Sequence, residues 1–177
     1  MKTLTEPIAA AKNVASPYFT TLASPIGELF LAGDGDRLHA LHMETRHASG
    51  EPFAGRVRNG DAFKPVLEQL DAYFAGRLTD FDVPLDASGT EFRKRVWDAL
   101  SEIPFGETRS YGEIAARVGN AKASRAVGLA NGANPIAVIV PCHRVIGADG
   151  TLTGFGGGLE RKQWLLSHEQ TVLRAQA

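Results

Sequence analysis

The stretch SYGEIAARVGNAKASRAVGLAN, residues 110–131, sets the fold of the second half of the chain. Ser110 and Glu113 have the spacing of a capping box, in which each side chain satisfies an exposed backbone N–H at a helix start. Ile114, Ala115 and Val118 then form one apolar face, so a short helix begins here. Gly119-Asn120 breaks it, and a second short helix is expected over residues 122–131. Two short helices joined by a tight glycine turn fit a helix-turn-helix, although helical hairpins also occur as plain core. In the second helix the small residues Ala123, Ser124, Ala126, Val127, Gly128, Ala130 and Gly132 surround Arg125. A helix this bare approaches either a groove or a neighbouring helix closely, and one arginine reads little sequence.

Working outward on the N-terminal side, Ser88 and Glu91 repeat the capping-box spacing, and Phe92, Val96, Trp97, Leu100 and Ile103 follow on one helical face, ended by Pro104 and Gly106. Before them the segment LTDFDVPLD, with Pro84, reads as an extended linker. A domain boundary is placed there, giving residues 1–86 and 87–177. Asp34-Gly35-Asp36 between the apolar runs 27–33 and 37–43 signals a hairpin. Phe63, Val66, Leu67, Leu70, Tyr73 and Phe74, stopped by Gly76, form an amphipathic helix for that sheet, and residues 44–60 read as a loop. The fold class is α+β: a small antiparallel sheet with a helix, then a mostly helical domain with a helix-turn-helix and a short active-site strand.

Composition narrows the function. The chain has 177 residues, 44% hydrophobic and 22% charged, as in an ordinary globular protein. No run approaches the roughly 18 apolar residues of a membrane span, and the first residues carry no secretory pattern. A cytoplasmic protein without membrane contact is expected. Residues 1–86 hold 8 basic and 12 acidic side chains, net −4, whereas residues 87–177 hold 11 and 8, net +3. The basic half permits nucleic-acid contact without demanding it.

On the C-terminal side IAVIV, residues 136–140, is expected as a buried strand that delivers the chain to Pro141-Cys142-His143-Arg144-Val145-Ile146. Cys142 is the single cysteine, which excludes disulfides and multi-thiolate zinc sites. A free thiol is only a few per cent ionised at neutral pH, so a catalytic role needs a base or a positive neighbour. His143 is the nearest base, although adjacent strand residues point to opposite faces, which favours a proton relay through water. Glu169, in a last helix with Trp164, Leu165, Leu166 and His168, is an acid able to orient the imidazole. Gly154, Gly156, Gly157 and Gly158 around Phe155 lack the spacing of a phosphate loop and instead bring a ligand close to backbone.

PCHRVI after Asn134-Pro135, followed by GFGGGLERKQWLLSHE, resembles the active-site region of the O⁶-alkylguanine-DNA alkyltransferases, the methylated-DNA–protein-cysteine methyltransferases. The likeness runs from about Phe92 to Glu169 and takes in Ser110-Tyr111 and the SRAVG segment around Arg125. The resemblance implies a helix-turn-helix in the minor groove of double-stranded DNA carrying alkylated bases. Arg125 then fills the gap left by a flipped base, with Ser124, Ala126 and Gly128 beside it. It further implies irreversible alkyl transfer from O⁶-alkylguanine, and from O⁴-methylthymine, to Cys142, with His143 as base through water and Glu169 as its orienter. Tyr111 meets the purine and assists its departure. Asn134 is the hinge asparagine, the carbonyls of Cys142 and Val145 accept from the exocyclic amine, and Phe155 and the Gly156 amide line the pocket.

Some members have serine where Gly156 stands, and some relatives hold zinc in the N-terminal domain. Here His39, His42 and His47 have no thiolate partners, so no metal and no cofactor are expected. Arg144 and Arg161 read as salt-bridge residues, and a monomer is expected in the absence of DNA. Two other readings stay open: a damage sensor built on the same helices, and a thiol hydrolase using Cys142 and His143 on a small substrate.

Overall fold

The computed structural model of the chain describes residues 16–43 and 55–177, so the N-terminal tail, His47 and most of the expected 44–60 loop lie outside it. One sheet contains β1 (Tyr18–Ser24), β2 (Gly27–Gly33), β3 (Leu38–Met43) and β4 (Val57–Arg58), in the order β3-β2-β1-β4 with the β1–β4 pair parallel. The hairpin between β2 and β3 closes as Asp34-Gly35-Asp36 requires. Asp34 Oδ1 accepts from the N–H groups of Asp36 and Arg37 at 2.9 and 2.8 Å, while Gly35 takes a φ of 102°. β1 carries no apolar alternation to announce it, because its one fully buried side chain is Thr20. β4 adds a short strand inside the segment read as loop.

A 3-10 turn (Asp61–Phe63) leads into α1 (Lys64–Phe74), whose Val66, Leu70 and Tyr73 join Leu29, Leu31 and Leu41 of the sheet in one apolar cluster. The linker then runs extended beside β3, where Leu38 donates to the Pro84 carbonyl and Asp86 donates back to Leu38, both at 2.9 Å.

In the second half α2 (Glu91–Ser101) begins at Thr90, whose hydroxyl accepts from the Arg93 N–H at 3.3 Å. The capping box expected at Ser88 and Glu91 does not form, and Thr90 alone caps the helix. The Trp97 ring lies where a Cβ on Gly89 would stand, at 2.5 Å, so residues 88 and 89 pass across the indole before the helix can start. β5 (Arg109–Ser110) leads into α3 (Tyr111–Arg117), which does begin with the Ser110–Glu113 capping box. Gly119 turns the chain at a φ of 86° towards α4 (Ser124–Gly132). α2 holds this pair through the Trp97 indole N–H, which donates to the Ala130 carbonyl at 2.9 Å.

The expected strand over residues 136–140 does not form. Only Ile136 makes a bridge, to Leu41 of β3, and the chain then turns, with Val138 at a φ of 71°. Asn134 imposes this turn: its Oδ1 accepts from the Ile136 N–H at 3.0 Å and its Nδ2 donates to the Val140 carbonyl at 2.8 Å. Burial, not extension, explains the apolar run. Past it lie a 3-10 turn (Cys142–Arg144), β6 (Val145–Ile146) parallel to β5, and α5 (Leu159–Gln176). The two halves share one core, and Leu41 at their junction is wholly buried, contributing roughly 2 kcal/mol. Among the described residues no helix is long and apolar enough to cross a membrane.

Candidate active site

Cys142 opens the 3-10 turn, so the alternation that would have parted it from His143 across a strand does not apply. It is 5% exposed and faces a small cleft of about 30 Å³ that opens to solvent, walled by Met43, Asn131, Asn134, Phe155 and Gly156. Gly157 lets the Met43 sulfur and the Phe155 ring pack close, since a Cβ there would lie 2.3 Å from the sulfur and push both aside. His42 also lines the wall, whereas His39 is held elsewhere by Ser16 and Asp34.

Behind the cysteine His143 is completely buried, with Nε2 2.7 Å from Glu169 Oε1. The carboxylate can only accept, so Nε2 carries the proton and Nδ1 is the basic nitrogen. Nδ1 meets no donor among the described residues. Burial holds the His143 pKa below its usual 6.5 against the pull of Glu169, and the nearby Arg144 and Lys162 charges lower it further. The ring is a neutral base at pH 7.

Glu169 is the hub of this interior. It accepts from the Tyr73 hydroxyl at 2.8 Å, the Gly106 N–H at 2.9 Å, His143, and the Arg144 guanidinium at 3.0 Å. Burial raises its pKa, but hydrogen bonds and charge from His143 and Arg144 outweigh that and bring it to about 2. Arg144 also donates to the Ile103 carbonyl at 2.6 Å. Arg161, by contrast, makes no ion pair among the described residues; it holds the carbonyls of Ile26 at 2.5 Å and Gly157 at 3.0 Å. A carbonyl of the β1–β2 turn and the glycine loop need a donor there, and the planar guanidinium reaches both.

Lys162, unmarked in the sequence, is fully buried, and its ammonium donates to the carbonyls of Val145 at 2.5 Å and Thr153 at 2.9 Å. Burial lowers its pKa and the charge of Cys142 raises it, so ammonium and thiol lie within electrostatic reach. Tyr111 donates to the same Thr153 carbonyl at 3.1 Å, and burial together with the Cys142 charge raises its pKa despite that bond. The phenol stays protonated. Sequence reasoning also passes over Tyr73, whose partner Glu169 lies 96 residues away.

On α4, Arg125 and Ala126 face solvent, Ser124 is half-buried and Gly128 lies beneath the Tyr111 ring, 3.8 Å from where its Cβ would be. Leu129, one turn beyond Arg125, is 72% exposed on the same face. The helix-turn-helix thus presents one open surface beside the mouth of the cysteine cavity.

Residues 91–171 match the model of the 6-O-methylguanine DNA methyltransferase DNA-binding domain, and residues 17–87 that of the same family's ribonuclease-like domain. The chain belongs to this family. The methylated-DNA–protein-cysteine methyltransferase of Mycolicibacterium paratuberculosis is 58% identical over 153 residues, 86% of this chain and 92% of that protein. The protein of the same name from Methanosarcina acetivorans is 55% identical, covering 86% and 97%. The crystal structure of Mycobacterium tuberculosis OGT in complex with DNA superposes with a TM-score of 0.82 at 55% identity, over 88% of this chain and 94% of that one. Membership of the methyltransferase family carries DNA repair by alkyl transfer to a protein cysteine, and this sequence offers one cysteine.

Proposed function

We propose that the chain repairs double-stranded DNA by extruding O⁶-alkylguanine, and O⁴-methylthymine, into the cavity and transferring the alkyl group irreversibly to Cys142. The observation that carries this is Cys142 at a cavity wall with a neutral, carboxylate-anchored imidazole next in sequence. At 5% exposure the sulfur is out of reach of a base stacked in a duplex, so the base must leave the stack. Arg125, exposed on α4, enters the minor groove and fills the gap, with Ser124, Ala126 and Gly128 along the backbone path.

The thiol proton passes through water to His143 Nδ1, and the Lys162 ammonium steadies the thiolate. Sulfur attacks the alkyl carbon, the new C–S bond forms as the C–O⁶ bond breaks, and the electron pair goes to the purine. Tyr111, turning from Thr153, donates to the departing base. The exocyclic amine donates to the carbonyls of Cys142 and Val145, Phe155 and the Gly156 amide bound the ring, and Asn134 keeps the turn that presents the cysteine. Because a thioether is not hydrolysed, each chain acts once, as a monomer before it meets DNA.

Intact mass after incubation with O⁶-methylguanine duplex tests this. The expected outcome is one added methyl per chain, on Cys142, and none on Cys142→Ala. Repeated turnover, or uptake by the Ala variant, overturns it. Steady hydrolysis of an acyl ester without DNA binding restores the hydrolase reading.

A further inference from the structure

Two buried asparagines stand on the cavity wall, and they are used differently. Asn134 is engaged at both ends: Nδ2 donates to Val140 and Oδ1 accepts from Ile136. Asn131, at the end of α4 and 2% exposed, donates through Nδ2 to the Cys142 carbonyl at 3.3 Å, but its Oδ1 meets no donor among the described residues. Flipping the amide does not relieve this, because it would set two carbonyl oxygens against each other. A fixed, buried acceptor without a donor is uncommon in folded proteins, since it forfeits a hydrogen bond it had in water. At the wall of a ligand cavity it marks a place where the ligand brings the donor.

The neighbouring acceptors sharpen this. The carbonyls assigned above to the exocyclic amine already carry donors, Cys142 from Asn131 and Val145 from Lys162. The Cys142 carbonyl also accepts from the Val145 N–H, so both of its lone pairs are engaged, whereas Asn131 Oδ1 has both of its own unused. The base ring bears few donors. In an O⁶-alkylguanine N1 is unprotonated and N3 and N7 accept, so the 2-amino group carries the only N–H bonds on the base. An O⁴-alkylthymine and an O⁶-alkylhypoxanthine carry no N–H donor at all.

We infer that Asn131 is a substrate-binding residue that accepts, in place of the already filled Cys142 carbonyl, one of the two N–H bonds of the 2-amino group and so favours alkylated guanine over alkylated bases lacking that amine. This rests on the proposed function. The same side chain ties base recognition to the carbonyl of the reacting cysteine.

Single-turnover methyl transfer from three duplexes, carrying O⁶-methylguanine, O⁶-methylhypoxanthine or O⁴-methylthymine, decides the matter for the full-length chain and Asn131→Leu. The variant is expected to lose roughly tenfold on O⁶-methylguanine, the worth of one neutral hydrogen bond, and to stay within about twofold on the other two. Equal losses on all three would reduce Asn131 to placing Cys142, and no loss on any would leave Oδ1 to a water; either overturns the inference. Should Asn131→Leu fail to fold, Asn131→Ala gives the same comparison. The unmodified chain supplies an independent reading, because equal rates on O⁶-methylguanine and O⁶-methylhypoxanthine also overturn it. If the unmodified chain accepts no methyl from any duplex, it is the proposed function that fails.

Discussion

The interior around Glu169 and the outer face of α4 treat polar groups in opposite ways. Around Glu169, Tyr73, Gly106, His143 and Arg144 all donate to one carboxylate, and these donors come from three separate stretches of chain. On α4, Arg125 stands in solvent beside exposed Ala126 and Leu129. Chemistry that depends on one proton at one nitrogen needs a rigid surround, and packing with hydrogen bonds supplies it. Docking onto a duplex needs the reverse, side chains whose best partner lies outside the molecule.

The largest effect is expected from Glu169→Gln. It keeps the shape but removes the charge shared by His143 and Arg144, leaving a buried guanidinium uncompensated. Urea unfolding at pH 7 should show a loss of about 3–5 kcal/mol, and methyl transfer should slow because the imidazole loses its anchor. A loss below about 1 kcal/mol would mean that the cluster is no tighter than a surface ion pair, and the contrast with α4 would disappear.

Arg125→Ala attacks the other region. Stability should move by less than about 0.5 kcal/mol, since an exposed helix residue is removed. Transfer from duplex DNA should fall by roughly two orders of magnitude, the few kcal/mol by which a filler side chain offsets base extrusion. Reaction with free O⁶-methylguanine base should be unchanged. An equal loss on free base would place Arg125 with the chemistry instead of with the duplex.

The same division explains what could be read from the sequence. The 27–43 hairpin, α1, α3 and α4 rest on local signals: turn residues, helical spacing and one capping box. β1 was invisible because its pattern is set by β2 and β4 on either side. The apolar run 136–140 suggests a strand, yet such a run reports burial and not extension, and Asn134 turns the chain. Cys142, His143 and Glu169 were legible as residue types, and the structure brings the last two into contact. Tyr73 shows in the sequence only as part of an apolar helix face, and Lys162 and Asn131 give no signal: a buried tyrosine, an ordinary helical lysine and a helix-end asparagine acquire their roles only from partners 9 to 96 residues away.

The gentlest perturbation is acid, and its sign follows from the two shifted groups. His143 has a folded pKa below 6.5, so below that pH the unfolded chain holds a proton that the folded chain lacks, and stability falls as pH falls. Glu169, at about 2 against 4.5 in an unfolded chain, acts in the same direction but only as pH drops through 4.5. Between pH 7 and 5 the expected slope from His143 is at most about 1.4 kcal/mol per pH unit. His143→Gln should remove that part of the slope, so the difference between the two chains isolates it from the other histidines. Protonating His143 also removes the base, and methyl transfer should decline over the same interval. DNA affinity, which we propose to lie on the exposed α4 face, should not decline with it, since that face stands apart from the buried cluster. A parallel loss of affinity and transfer would show that the buried cluster and the α4 surface unfold together, and that their separation is not a property of the native state.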